Sequence, residues 1–145
     1  MNLLLSLFLV FIPVFKKTPG YVIDYHNANT KDKEEAFINR YLSFEEISIK
    51  GYVISLQMKQ AKYKFFPWQK LAVFNKGKKK LEDLINKNPD NSDLRYLRLV
   101  IQENTPVLLN YRSSIKLDKK FLQKKMKMID DSDYLDTYIK KNTSL

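Results

Sequence analysis

From Ile47, the small or apolar positions Gly51, Ile54, Met58, Ala61 and Phe65 follow at spacings of 4, 3, 4, 3 and 4, which places all six on one stripe of a helix about 22 residues long. Tyr52, Val53, Leu56 and Tyr63 occupy adjoining faces, so this helix is expected to be covered on more than one side. A glycine in a helix interior costs about 1 kcal/mol relative to alanine, so Gly51 points to a neighbouring backbone passing close by. Ser43 and Glu46 have the spacing of a capping box, with Leu42 and Ile47 at the two positions of a hydrophobic staple, and together they predict the start of the helix. A Met and aromatic stripe of this kind reads as core rather than as a ligand pocket.

In "YKFFPWQ" the pattern breaks, because Pro67 disfavours helical geometry at Phe66 and suits the first position of a new helix. Beyond it, Trp68, Leu71, Phe74, Gly77, Leu81 and Leu84 at spacings of 3, 3, 3, 4 and 3 are expected to form one core-facing stripe, with Val73 and Ile85 at its margins. Lys70, Lys76, Lys78, Lys79, Lys80 and Lys87 fill other positions with Glu82 and Asp83, so the solvated face carries a net +4.

The flanking segments are also helical. Thr18 as N-cap and Pro19 at the first helical position open a short helix over "TPGYVIDYHNA", and Asp32 with Glu35 offers a capping box for a second, with Phe37 and Tyr41 on one face. Asn91 or Ser92 caps a helix that packs Leu94, Leu97 and Ile101 and stops before Pro106. Arg95 and Arg98 project together from it beside Glu103, either as local ion pairs or as an anion-binding spot. An irregular stretch follows. A helix over residues 117–130 is then expected to offer Leu117, Phe121, Leu122, Met126 and Ile129 to the core, and Ser132 to cap a last short helix bearing Leu135 and Ile139.

Gly77-x3-Leu81-x2-Leu84-x4-Pro89 resembles the second-helix half of a tetratricopeptide repeat, and "NPDNSDLRYLRL" resembles the link into the first helix of a following repeat. Leu84 departs from that pattern, standing where the repeat usually has a small residue. The resemblance spans roughly residues 44–104. With the apolar start of the chain, the block is similar to small exported bacterial proteins of helical-hairpin character. It implies an all-α fold of antiparallel helical hairpins, as a TPR-like bundle or short solenoid, and implies no reaction.

Composition narrows the classes. A hydrophobic content of 44 % excludes a disordered chain, while three glycines and five prolines in 145 residues disfavour a fold of many hairpin turns. The absence of cysteine removes disulfides, thiolate catalysis and cysteine-held zinc together. The formal charge is +10, carried largely by lysine, which meets phosphate as a point charge rather than as a bidentate fork. The apolar run from Leu3 to Phe15 is too short for a bilayer core and reads as an export signal or anchor, although no small-residue cleavage site precedes Lys16. Residues 1–17 are therefore expected to be a signal-like or anchoring segment and residues 18–145 a single helical domain, placed at a bacterial cell envelope.

His26 is the only histidine, and neither G-x-x-x-x-G-K-[ST] nor G-x-G-x-x-G occurs. The acidic pairs Glu34/Glu35, Glu45/Glu46 and Asp130/Asp131 are adjacent in sequence, so each diverges on a helix rather than converging on a substrate. No catalytic residue, metal ligand or cofactor is expected. The leading expectation is a non-enzymatic helical-hairpin scaffold, exported or membrane-associated, that contacts another protein. The alternative is a basic module for anionic polymer or lipid head groups, with an enzyme third. The residues nominated for anion or partner contact are Lys70, Lys78, Lys79, Lys80, Arg95 and Arg98. Weak contact with acidic surfaces, and with a membrane through residues 1–15 where these are retained, follows from the same charge and pattern.

Overall fold

Several helix borders fall where a proline or a capping side chain sets them, at Pro19, Thr30, Pro67 and Asn91. A computed structural model of the chain describes residues 17–145, with seven α-helices and no strand among the described residues. These are α1 (Gly20–Asn27), α2 (Lys31–Tyr41), α3 (Ile47–Lys59), α4 (Pro67–Lys87), α5 (Ser92–Asn104), α6 (Ile115–Lys125) and α7 (Asp136–Asn142), with 3-10 turns at Gln60–Tyr63, Val107–Leu109 and Asp133–Leu135. The fold is all-α, as the spacing predicts. The export-like segment of residues 1–15 lies outside the described residues.

Pro67 opens α4 with Phe66 extended before it, and the Asn91 side-chain oxygen accepts the Leu94 N–H at 3.0 Å at the start of α5. Other caps differ from expectation. The N-cap of α2 is Thr30, whose hydroxyl accepts the Lys33 N–H at 3.3 Å, and not the Asp32–Glu35 box. Helix α1 begins at Gly20, with Pro19 in the N-cap place assigned to Thr18. Helix α3 begins at Ile47 rather than just after Ser43, because Leu42 is exposed and no staple forms; Glu45 pairs instead with Lys50, and Glu46 accepts from the Tyr21 hydroxyl.

Helix α3 is the axis of the molecule. Ser48, Ile49, Gly51, Tyr52, Val53, Ser55, Leu56 and Met58 are all buried, on every side, as befits a helix surrounded by others. One face joins Val22, Phe37, Tyr41, Leu97, Leu122 and Ile139 in the larger core; the other joins Leu81, Ile85, Leu94 and Tyr111 in a smaller one under α4. Two glycines make the close approaches. A Cβ at Gly51 would overlap the Leu94 side chain, and one at Gly77 would overlap Met58. The neighbour that Gly51 admits is therefore a side chain of α5, not a backbone.

The expected stripe on α4 holds only in its C-terminal half. Gly77, Leu81 and Ile85 are buried, whereas Trp68 is 65 % exposed and Leu71 is exposed too. Successive steps of three each lag a helical turn by about 60°, so three of them carry Trp68 to the side opposite Gly77, about 180° away. A similar drift operates in α6: Leu117 lies about 140° from buried Leu122 and is exposed, and Ile129, past the helix end at Lys125, is exposed as well. On α3 the regular helix ends at Lys59, short of Phe65, which is 85 % exposed.

Helix α4 has 21 residues against 13 in α5, so the first two turns of α4 run about 12 Å past the end of α5 at ~1.5 Å per residue. The tip of the α3–α4 hairpin therefore overhangs the end of α5, and Phe65, Phe66, Trp68 and Leu71 on it are exposed. Its base is pinned by Glu34 of α2, which is fully buried and receives Lys62 at 2.9 Å, Lys59 at 3.0 Å and the Gln60 amide at 2.9 Å. Burial alone would raise the Glu34 pKa, but the hydrogen bonds from Lys62 and Lys59 outweigh it and hold the carboxyl below its ordinary range.

Candidate interaction site

The nominated arginines are spent inside the fold. Arg98 is buried and grips Asp118 with Nε and Nη2, each at 2.7 Å, while its Nη1 meets Glu82 of α4 at 2.8 Å. Arg95 donates to the same Asp118 at 3.0 Å and to the Pro89 carbonyl at 2.9 Å. Local ion pairing is what these two do, with Asp118 as the partner instead of Glu103; Glu103 accepts from Lys119 and Ser144. Lys78 lies over the Tyr111 ring at 4.8 Å, Lys80 borders a shallow dish beside Ile54 and Leu84, and Lys70 and Lys79 are exposed. Lysines and arginines thus belong to different places.

Charge is concentrated in the α3–α4 hairpin. Between Ile47 and Leu81 there are nine lysines and no Asp or Glu, which leaves 17 cations and 16 acids for the rest of the chain. Nearly the whole +10 sits in these 35 residues. Lys50, Lys59 and Lys62 are paired with Glu45 or Glu34, while Lys64, Lys70, Lys76, Lys78, Lys79 and Lys80 have no ion-pair partner among the described residues.

Beneath the overhang an open groove of about 510 Å³ runs between the hairpin and the end of α5. Met58, Ala61 and Phe74 form one wall, and Val100, Ile101 and Leu109 form the other. At its inner end the Tyr25 and Ser55 hydroxyls bond to each other at 2.8 Å. The groove exists because α5 stops at Asn104, one residue before the Thr105–Pro106 step, while α4 continues. The chain then reverses at Asn110, in the left-handed region at φ 47°, which asparagine tolerates. That turn sends Tyr111 under α4, edge-on to Phe74 with ring centroids 5.9 Å apart and with its hydroxyl on Glu82. Between the groove residues Pro106 and Leu109, Val107 and Leu108 stand 76 % and 93 % exposed.

His26 is elsewhere, in an aromatic cluster of α1, α3, α5 and α7. Its Nδ1 must donate to the Val22 carbonyl at 2.7 Å, so in the neutral ring Nε2 accepts from the Tyr96 hydroxyl at 2.7 Å; Tyr96 accepts in turn from the Asn142 amide at 3.0 Å. The ring stacks on Tyr138 with centroids 3.9 Å apart. Burial pushes its pKa below the ordinary 6.5, with nearby Lys141 adding to the effect while the Val22 bond and Asp93 oppose it. Asp93, also buried, accepts from Tyr52 at 2.7 Å and Tyr134 at 2.8 Å, and burial followed by that charge raises both hydroxyls. These groups bond to one another, which is packing chemistry.

No cluster of three or more His, Cys, Asp or Glu suited to a metal ion occurs among the described residues, and none of their helices is long and apolar enough to cross a membrane. The groove lining is mainly apolar, with the Tyr25 and Ser55 hydroxyls, the Asn104 amide and the Lys59 and Lys62 ammonium groups as its polar contacts. The overhanging aromatics and the groove were not nominated from sequence. Computing the angular drift from Gly77 to Trp68 is the signal that finds the former; the groove depends on relative helix lengths and has no local signature. Comparison with protein-family models, curated proteins and solved structures finds no match.

Proposed function

We propose that the protein is a non-enzymatic helical-hairpin scaffold of the cell envelope that holds an apolar segment of a partner protein in the groove between the α3–α4 tip and the end of α5. The observation that carries this reading is the groove itself: two apolar walls facing across an open channel, with exposed Val107 and Leu108 between two of its lining residues. An apolar side chain seated there leaves water on both sides at about 25 cal/mol per Å², and the rim lysines Lys59 and Lys62 are both held by Glu34, which offsets one of their two charges. The tetratricopeptide resemblance supports the same role, and the apolar run Leu3–Phe15 supports export or anchoring.

Selection of peptides from a random library on the purified chain tests it. Apolar sequences are expected, and Leu109→Glu is expected to abolish their binding while Lys79→Gln leaves it unchanged. Enrichment of acidic peptides indifferent to Leu109→Glu would overturn it.

A second reading, a basic module for anionic surfaces, is supported by one specific observation. Six lysines without ion pairs share one hairpin that lacks any carboxylate over 35 residues.

A further inference from the structure

The overhanging tip bears a second surface, distinct from the groove. Phe65, Phe66, Trp68 and Leu71 are all exposed within seven residues. Phe66 and Trp68 stack with centroids 4.4 Å apart and planes 12° from parallel, and Phe65 meets Phe66 edge-on at 4.9 Å. Three aromatic rings held against one another in solvent, with exposed Leu71 one turn further on, mark a contact surface. They are kept out of the core by the Glu34 anchor on the α3 side and by Pro67, which starts α4 immediately after them.

We propose that this tip is an interfacial membrane-docking element, with an anionic phospholipid bilayer as its occupant. This rests on the charge-based reading above and names the surface that the charge serves. Lys64 and Lys70 bracket the three aromatic residues and carry no ion pair among the described residues. Tryptophan with flanking lysine suits the head-group boundary, where the ring sits at the interface and the ammonium reaches up to phosphate. The outer side of α4 extends the contact. Lys79 follows Trp68 by eleven residues, close to three full turns, so the two project about 20° apart; a reclined α4 puts Trp68 in the interface and Lys79 among the head groups. The shape favours a bilayer over a nucleic-acid strand. The aromatics crown a convex tip rather than line a channel that tracks a backbone, the facing sides of Phe66 and Trp68 are already closed by each other, and the cations there are lysines.

Trp68 is the only tryptophan in the chain, so its fluorescence reports this tip and not the apolar N-terminal run. The full chain is mixed with vesicles of phosphatidylglycerol and phosphatidylcholine, some carrying brominated acyl chains. A blue shift of Trp68 emission and quenching by the bromines are expected, with neither on pure phosphatidylcholine. Lys64→Gln with Lys70→Gln is expected to lower partitioning roughly tenfold or more without changing the circular dichroism spectrum. Sedimentation with anionic vesicles while Trp68 keeps its aqueous spectrum would overturn the tip as the docking element and leave the charge-based reading standing. Absence of binding to these vesicles and to a single-stranded oligonucleotide would overturn both. An oligonucleotide that shifts Trp68 and displaces the vesicles would replace the bilayer as occupant.

Discussion

Arg98 and Asp118 meet through two parallel bonds, Nε to one carboxylate oxygen and Nη2 to the other, each 2.7 Å long, inside the contact between α5 and α6. Both side chains are out of solvent, so the pair matters chiefly through what happens when it is halved. Asp118→Ala leaves the Arg98 and Arg95 guanidiniums short of a counter-charge and is expected to cost about 3–5 kcal/mol, read as a fall in the urea midpoint. Arg98→Met combined with Asp118→Leu is expected to restore much of that loss. A midpoint unchanged in Asp118→Ala would show that the pair is solvated.

The glycines make a contrasting pair with the lysines. Gly51→Leu and Gly77→Leu each force a side chain into space occupied by Leu94 or Met58, and overpacking of that kind costs about 1–3 kcal/mol or more. Replacing Lys78, Lys79 and Lys80 together with Gln removes one ring contact on Tyr111 and no ion pair, so a change within about 0.5 kcal/mol is expected. Thermal melts by circular dichroism separate the cases; a large loss in the lysine variant contradicts this assignment of faces.

Acid should loosen the aromatic cluster. The folded-state pKa of His26 lies below its unfolded value near 6.5, so the unfolded chain binds the proton first. Its contribution to stability is complete above about pH 6.5 and is lost as pH falls toward the folded value. Glu34, Glu103 and Asp130 are also held below their ordinary values, so their stabilisation is lost only at lower pH, below about 4.5. Melting temperature measured across mildly acidic pH is expected to fall in the parent chain and to stay flat in His26→Phe. Equal slopes in both would remove His26 as the cause.

Much of this architecture is legible locally. Pro67 and Asn91 bound α4 and α5 because a missing N–H and a side-chain acceptor act over a single turn, and Leu81, Leu94, Leu97 and Leu122 follow from periodicity alone. Capping signals failed where tertiary contact competed: Ser43 and Glu46 have the right spacing, yet exposed Leu42 closes no staple and Glu46 turns to Tyr21. Steps of three fall short of full turns, so Trp68 leaves the stripe that Gly77 and Leu81 share and is exposed. Arg98 and Asp118 are 20 residues apart, and the groove needs α4 to outlast α5, so neither was readable from a sequence window.

The groove is the central claim, and Met58 tests it most directly. The chain has four methionines, and of the three among the described residues, Met58, Met126 and Met128, only Met58 lines the groove. With methyl-labelled methionine, titration of a selected apolar peptide is expected to move the Met58 signal and leave Met126 and Met128 in place. Peptide binding that shifts Met126 or Met128 while Met58 stays still would contradict the account.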